Sequence, residues 1–170
     1  MFKIAYWIVY ICLWPIYRFR FVNRHYITSG GAIICGNHTA NIDSVLVVLA
    51  LGDRKQYAAM AKKELFEDNG LIFRLNIDWL GAFAVNRQKL EVATIKTVKE
   101  LYKTNWLLGI FPQGGIRRNH TIEKINKGFA VIAKAAKWDV LPISITGCEK
   151  YNWIPFGAKV TVQIGKPISY

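Results

Sequence analysis

A single α/β domain, built on one mainly parallel or mixed sheet flanked by helices, is predicted by three observations. Apolar runs of strand length alternate with helix-length apolar periodicities along the chain. Turn compositions such as Asn86-Arg87 and Pro112-Gln113-Gly114-Gly115 close the strand-like runs. The 170 residues are 52% hydrophobic and 20% charged, enough for one sizeable core, with no repeat or low-complexity tract.

The N-terminal segment is set apart. Ile4 to Tyr17 is almost wholly apolar, with Lys3 before it and Arg18, Arg20 and Arg24 after it. The run is shorter than the ~18 residues of a spanning helix, and no small-residue cleavage site follows, so a removable signal is not expected. Tyr6, Tyr10, Trp14 and Tyr17 recur at helical spacing. Tyrosine and tryptophan suit the boundary between lipid and water, where the ring is buried and its polar edge stays wet. Residues 1–24 are therefore expected to form a membrane-interface helix whose arginines meet anionic headgroups, on the cytoplasmic face. A helix packed on the domain's own core is the competing expectation. Pro15 is expected to bend or end the last turn. Residues 25–170 would form the α/β domain.

Within that domain, Ala32 to Cys35 is expected as a short buried strand and Ser44 to Leu51 as an apolar helix. Residues 62–79 are mixed, helical in part, with a break near Asn69-Gly70. Ala82 to Val85 is a strand. Glu91 to Tyr102 is an amphipathic helix, with Val92, Ile95, Val98, Leu101 and Tyr102 inward and Lys96, Lys99, Glu100 and Lys103 in water. Leu107 to Phe111 is a buried strand. Phe129, Ile132, Ala133 and Ala136 mark a helix. Val140 to Ile145 is a strand containing Pro142, and Val160, Val162 and Ile164 alternate as in a half-exposed strand. The loops at His38, Arg87 and Gln113 all follow strands. In α/β folds the chemistry gathers where strands end, so these loops are placed to converge.

The net charge of +12 favours polyanionic partners: nucleic acid, acidic headgroups or phosphate-rich small molecules. No nucleic-acid motif is present, and many aromatics fall in the N-terminal run or in buried strands, which argues against nucleic acid. The glycine-rich Pro112–Gly115 turn lacks a following Gly-Lys-Ser/Thr, so it is not a P-loop. His25, His38 and His120 lack metal-ligand spacing, and no metal or cofactor is expected. Cys12, Cys35 and Cys148 are odd in number and widely spaced, which argues against a disulfide framework. Cys35 precedes His38 by three residues but reads as a small apolar residue ending a strand.

The residues that point to chemistry are His38 and Asp43, in the run Asn37-His38-Thr39-Ala40-Asn41-Ile42-Asp43. A carboxylate that holds one imidazole nitrogen fixes the tautomer and raises the basicity of the other, as a general base requires. The spacing alone also suits a helix cap beside a surface histidine.

Four segments, in order, carry a resemblance. The run from Asn37 to Asp43 resembles the first block of the glycerolipid acyltransferases, the 1-acylglycerol-3-phosphate acyltransferase family. Gly81-Ala82-Phe83-Ala84-Val85-Asn86-Arg87 is similar to the second block, Phe111-Pro112-Gln113-Gly114-Gly115 to the third, and Val140-Leu141-Pro142-Ile143-Ser144-Ile145 to the fourth. The resemblance implies direct acyl transfer to a hydroxyl from acyl-CoA or acyl carrier protein. His38 and Asp43 would form the base dyad with no acyl-enzyme. Arg87, closing the second block, would help hold the acceptor's phosphate. Gln113, Gly114 and Arg117 would join the substrate site, the glycine-rich turn lending backbone amides to an oxyanion.

The third block departs from the family's pattern, which has Glu after Phe-Pro and then Gly, Thr and Arg. Here Gln113 replaces the Glu, and Ile116 takes the usual arginine position with Arg117 next to it. Gln113 can still accept a hydrogen bond, but it brings no charge and adds two donors. The acceptor is thus left open between a lysophosphatidate-like lipid and a sugar or glycolipid hydroxyl. A catalytically silent protein that binds lipid or acyl thioester on the same scaffold is the rival.

Overall fold

The computed structural model describes residues 2–53, 56–63, 66, 81–85, 92–117, 125–148 and 157–170. In chain order these form helix α1 (Phe2–Leu13), strand β1 (Tyr17–Val22), a 3-10 turn (Arg24–Tyr26), β2 (Ala32–Gly36), α2 (Asp43–Leu51), β3 (Tyr57–Lys62) and β4 (Phe83–Val85). Then come α3 (Val92–Tyr102), β5 (Leu107–Ile110), α4 (Gly128–Ala136), β6 (Val140–Thr146) and β7 (Ala158–Ile164). The seven strands make one sheet in the order β1-β7-β6-β2-β5-β3-β4. Neighbours pair parallel except β6 and β7, which are antiparallel, so the sheet is mixed.

Alternation along each strand sends side chains to two different cores. On one face Ala32 and Ile34 of β2, Leu141, Ile143 and Ile145 of β6 and Val160, Val162 and Ile164 of β7 pack with α1 and α2. On the other, Ile33 of β2, Ala58 of β3 and Leu108 of β5 pack with Val98 of α3 and with Ile132, Ala133 and Ala136 of α4. The result is a three-layer α/β/α arrangement. α2 shows why its sequence lacks a polar stripe: Leu46 to Leu51 are all buried, because the helix lies between the sheet and α1. β5 must approach β3 closely, since any side chain at Gly109 would occupy the place of the Tyr57 hydroxyl.

The N-terminal segment divides its residues differently from the expectation. The helix ends at Leu13, and Tyr17 opens an edge strand that pairs with β7, Tyr17 beside Ala158. Tyr6 is buried, and its hydroxyl donates to the Leu49 carbonyl at 3.1 Å; Tyr10 packs partly buried against the same core. Tyr6, Tyr10 and Tyr17 therefore turn inward and do not share an outward aromatic face. What α1 presents outward is Ile4, Trp7, Ile8 and Ile11, with Trp14 just after it, all 49–68% exposed. Arg18 and Arg20 are exposed on β1, and Arg24 is exposed too, with its guanidinium 5.8 Å from the Phe21 ring centre.

The remaining elements fall near their expected places. α3 buries Val98, half-buries Ile95 and Leu101, and exposes Lys96, Lys99, Glu100 and Lys103. β7 alternates buried Val160, Val162 and Ile164 with more exposed neighbours. Of residues 62–79, only 62, 63 and 66 are described. β1 and β3 are additional strands.

Candidate active site

β2 and β5 lie side by side in the middle of the sheet, with Cys35 beside Ile110, and both release their chain at the same edge. β6, on the other side of β2, reaches that edge too, with Gly36 beside Ile143. Parallel strands that end together leave a crevice at their carboxyl ends, and the loop after β2 lies there.

The loop is pinned at its first residue. The Asn37 side-chain amide donates to the Ile145 carbonyl at 2.8 Å, and its oxygen accepts the Ile145 N–H at 2.7 Å. A side chain thus takes the position of a neighbouring strand's backbone and extends the β2–β6 ladder past its end. Next, Asp43 Oδ2 accepts the N–H groups of Thr39 at 2.6 Å and Ala40 at 2.9 Å, and meets His38 Nδ1 at 3.0 Å. Asp43 is fully buried in the first turn of α2, where the helix N-terminus favours negative charge. Among the described residues, Asp43 Oδ1 and Thr39 Oγ1 have no hydrogen-bond partner.

The β5 loop holds the histidine from the other side. The Gln113 Oε1 accepts the His38 backbone N–H at 3.0 Å, and the Arg117 N–H donates to the His38 carbonyl at 2.7 Å. The Phe111 ring stacks on the imidazole, with centroids 4.3 Å apart and planes at 17°. Among the described residues, every polar atom of His38 is therefore engaged except Nε2. An ionised carboxylate can only accept, so Nδ1 carries the proton and Nε2 offers a lone pair. The His38 side chain is 17% exposed, which gives that lone pair a route to a bound molecule.

The turn that delivers Gln113 follows from composition. Pro112 presets its own φ, Gly114 N–H donates to the Phe111 carbonyl at 3.1 Å, and Gly114 adopts a φ of +71° that an L side chain resists. The Gly114 amide is thus used inside the turn. The structure brings His38, Asp43, Gln113, Gly114 and the Arg117 backbone together; the Arg117 side chain is exposed. Arg87 lies outside the described residues, as does His120. Cys35 makes a poor nucleophile because burial pushes its thiol up to about 11. Sequence reasoning gave no role to Asn37 or Phe111, although both stand inside quoted blocks. An asparagine directly before the histidine, and an aromatic directly before the Pro-Gln turn, were the available signals.

Comparison with known proteins gives the family and the fold. The sequence pattern of the family described as Acyltransferase matches residues 18–146. A 1-acyl-sn-glycerol-3-phosphate acyltransferase of Streptococcus pneumoniae is 34% identical over 115 residues, 67% of this chain and 41% of that protein. A protein of the same name from Bacillus subtilis is 28% identical over 148 residues, 82% of this chain and 68% of that one. The chain thus spans less than half of the Streptococcus relative's length and about two thirds of the Bacillus relative's. The crystal structure of the 1-acyl-sn-glycerophosphate (LPA) acyltransferase PlsC from Thermotoga maritima shares the fold, with a TM-score of 0.68 and 20% identity over 99% of this chain and 67% of that one. The family match runs from within β1 to the last residue of β6 and takes in each group that holds His38, and on that extent the chain belongs to the acyltransferase family.

Proposed function

We propose that the protein is a membrane-associated O-acyltransferase that moves a fatty acyl group from a thioester, acyl-CoA or acyl carrier protein, to a hydroxyl of a lysophosphatidate-like lipid. The single observation that carries the reading is the His38 Nδ1–Asp43 Oδ2 contact at 3.0 Å, with the carboxylate wholly buried and the Nε2 lone pair left open. An alcohol is a weak nucleophile at neutral pH. His38 Nε2 takes its proton as the oxygen attacks the thioester carbonyl, and the tetrahedral intermediate collapses with cleavage of the C–S bond. The thiolate leaves with the proton held by His38, and the ester is released. General-base assistance of this kind is worth roughly 10²–10⁴-fold. The names of the two relatives support the acceptor class, and Arg87 is the candidate for its phosphate. The silent-binder rival is disfavoured, because Gln113 helps hold the dyad in place.

The decisive assay follows thiol release from acyl-CoA and from acyl carrier protein with lysophosphatidate, other lysolipids and glycolipids as acceptors. Acceptor-dependent release with lysophosphatidate is the expected outcome. Binding of thioester without release for any acceptor would sink the reading, and release only with a glycolipid would move the acceptor.

The outward strip of α1 supports membrane association. Among the described residues no helix is long and apolar enough to cross a membrane, so α1 would lie in the interface. Strand direction gives the strip a purpose. β7 runs antiparallel to β6 and β1 follows β7, so Tyr17 starts at the edge where β2 ends. Trp14 therefore sits at the edge that carries His38, where a lipid acceptor need not leave the bilayer far behind. Ile8→Gln with Ile11→Gln should weaken partitioning onto anionic phospholipid vesicles at least ~10-fold, through lost apolar burial at unchanged charge. Both side chains are exposed, 58% and 66%, so the melting temperature should hold. Undiminished partitioning would end the interface assignment. Removal of residues 1–24 would be a worse test, because it takes β1 and Tyr6 with it.

A further inference from the structure

We propose that the Gln113 side-chain Nε2 donates a hydrogen bond to an anionic oxygen of the reacting complex, a role that rests on the acyl-transfer reading and that a glutamate at this position would not fill. The His38 backbone N–H can only donate, so the Gln113 atom it meets at 3.0 Å must be the oxygen. That contact orients the amide and leaves Nε2 on the neighbouring branch of the same planar group, next to the His38 main chain. Gln113 is half-buried, so the branch is open to a ligand.

Several backbone amides around His38 are already engaged. The Thr39 and Ala40 amides serve Asp43, the His38 amide serves Gln113, the Gly114 amide closes the turn, and the Arg117 amide serves the His38 carbonyl. A thioester carbonyl that gains negative charge needs donors aimed at it before the reaction starts. The Gln113 amide is such a donor. A carboxylate could accept the same His38 N–H but, ionised, has no N–H to give, so the donor is particular to the glutamine of this chain. The residue thus has two parts: Oε1 positions His38 and Nε2 meets the substrate. Two oxygens fit this chemistry, the oxyanion of the transition state and an anionic headgroup oxygen of the acceptor.

Steady-state thiol release in Gln113→Glu and Gln113→Met separates them. Glu keeps the acceptor for the His38 N–H and loses the donor; Met keeps the length and loses both. At neutral pH Gln113→Glu should lose at least ~10-fold in kcat if the partner is the oxyanion. It should instead raise the acceptor KM by a similar factor if the partner is the headgroup. A protonated Glu can donate, so the ratio of Gln113→Glu to wild-type activity should climb as pH falls toward the ordinary Glu value of about 4.3. A merely structural role for Gln113 would not produce that climb. Wild-type kcat and KM in Gln113→Glu, while His38→Ala is inactive, would overturn this proposal and leave acyl transfer standing. If Gln113→Glu fails to fold, unchanged constants in Gln113→Met overturn it equally. A wild-type protein that releases no thiol with any acceptor removes both.

Discussion

His38→Ala should lower acceptor-dependent thiol release at least ~10²-fold, with the protein still folded. Two partners of Asp43, the Thr39 and Ala40 amides, survive the substitution, so the buried carboxylate keeps most of its hydrogen bonds. The lost contacts are the Nδ1 bond and the stacking on Phe111, together about 1–2 kcal/mol of stability. The activity loss must therefore exceed what reduced stability can explain, and a melting curve measured beside the rate makes that comparison. Donor binding should change little, because the imidazole acts on the acceptor's proton. A variant that releases thiol at the wild-type rate would show that proton removal happens elsewhere, and the base assignment would fall with it.

The dyad was legible in the sequence because it is local. Five positions separate His38 from Asp43, and a strand end followed by a helix start brings them face to face without help from distant chain. The central strands were legible for a related reason. β2 and β5 are buried on both faces and read as continuous apolar runs, while β6 alternates buried Leu141, Ile143 and Ile145 with more exposed neighbours. β3 was not, because Tyr57-Ala58-Ala59-Met60-Ala61-Lys62 is alanine-rich and alanine is a poor strand former; its place comes from pairing with β5 and β4. β1 was missed although its signal was present. Tyr17, Phe19 and Phe21 alternate with Arg18 and Arg20, a period of two that the apolar run before it obscured. The same oversight put Tyr17 on a helix face. Gln113's grip on the His38 amide was beyond the sequence, since 75 residues separate the partners and only the β2–β5 pairing joins them.

Asp43 carries the second large effect, and two substitutions divide its roles. One oxygen, Oδ2, accepts from His38 Nδ1, Thr39 N and Ala40 N together. Asp43→Ala removes that oxygen and leaves two loop amides without an acceptor beneath the site. Stability should fall by about 2–4 kcal/mol, and what activity remains should be at least ~10²-fold lower. Asp43→Asn is more telling. The two backbone N–H groups demand an acceptor, so the amide oxygen must take the Oδ2 place and the amide nitrogen the Oδ1 place, which already lacks a partner among the described residues. Nδ1 then still donates, the imidazole keeps its tautomer, and the loop keeps its shape. Only the negative charge is gone. Thermal unfolding of Asp43→Asn should therefore lie within about 1 kcal/mol of the wild type, while kcat falls by about 10²-fold because the imidazolium formed during proton transfer loses its counter-charge. A full wild-type rate in Asp43→Asn would mean that the carboxylate is a loop pin and not an electrostatic partner. Equal destabilisation by Asn and Ala would mean instead that the amide does not adopt the orientation these hydrogen bonds require.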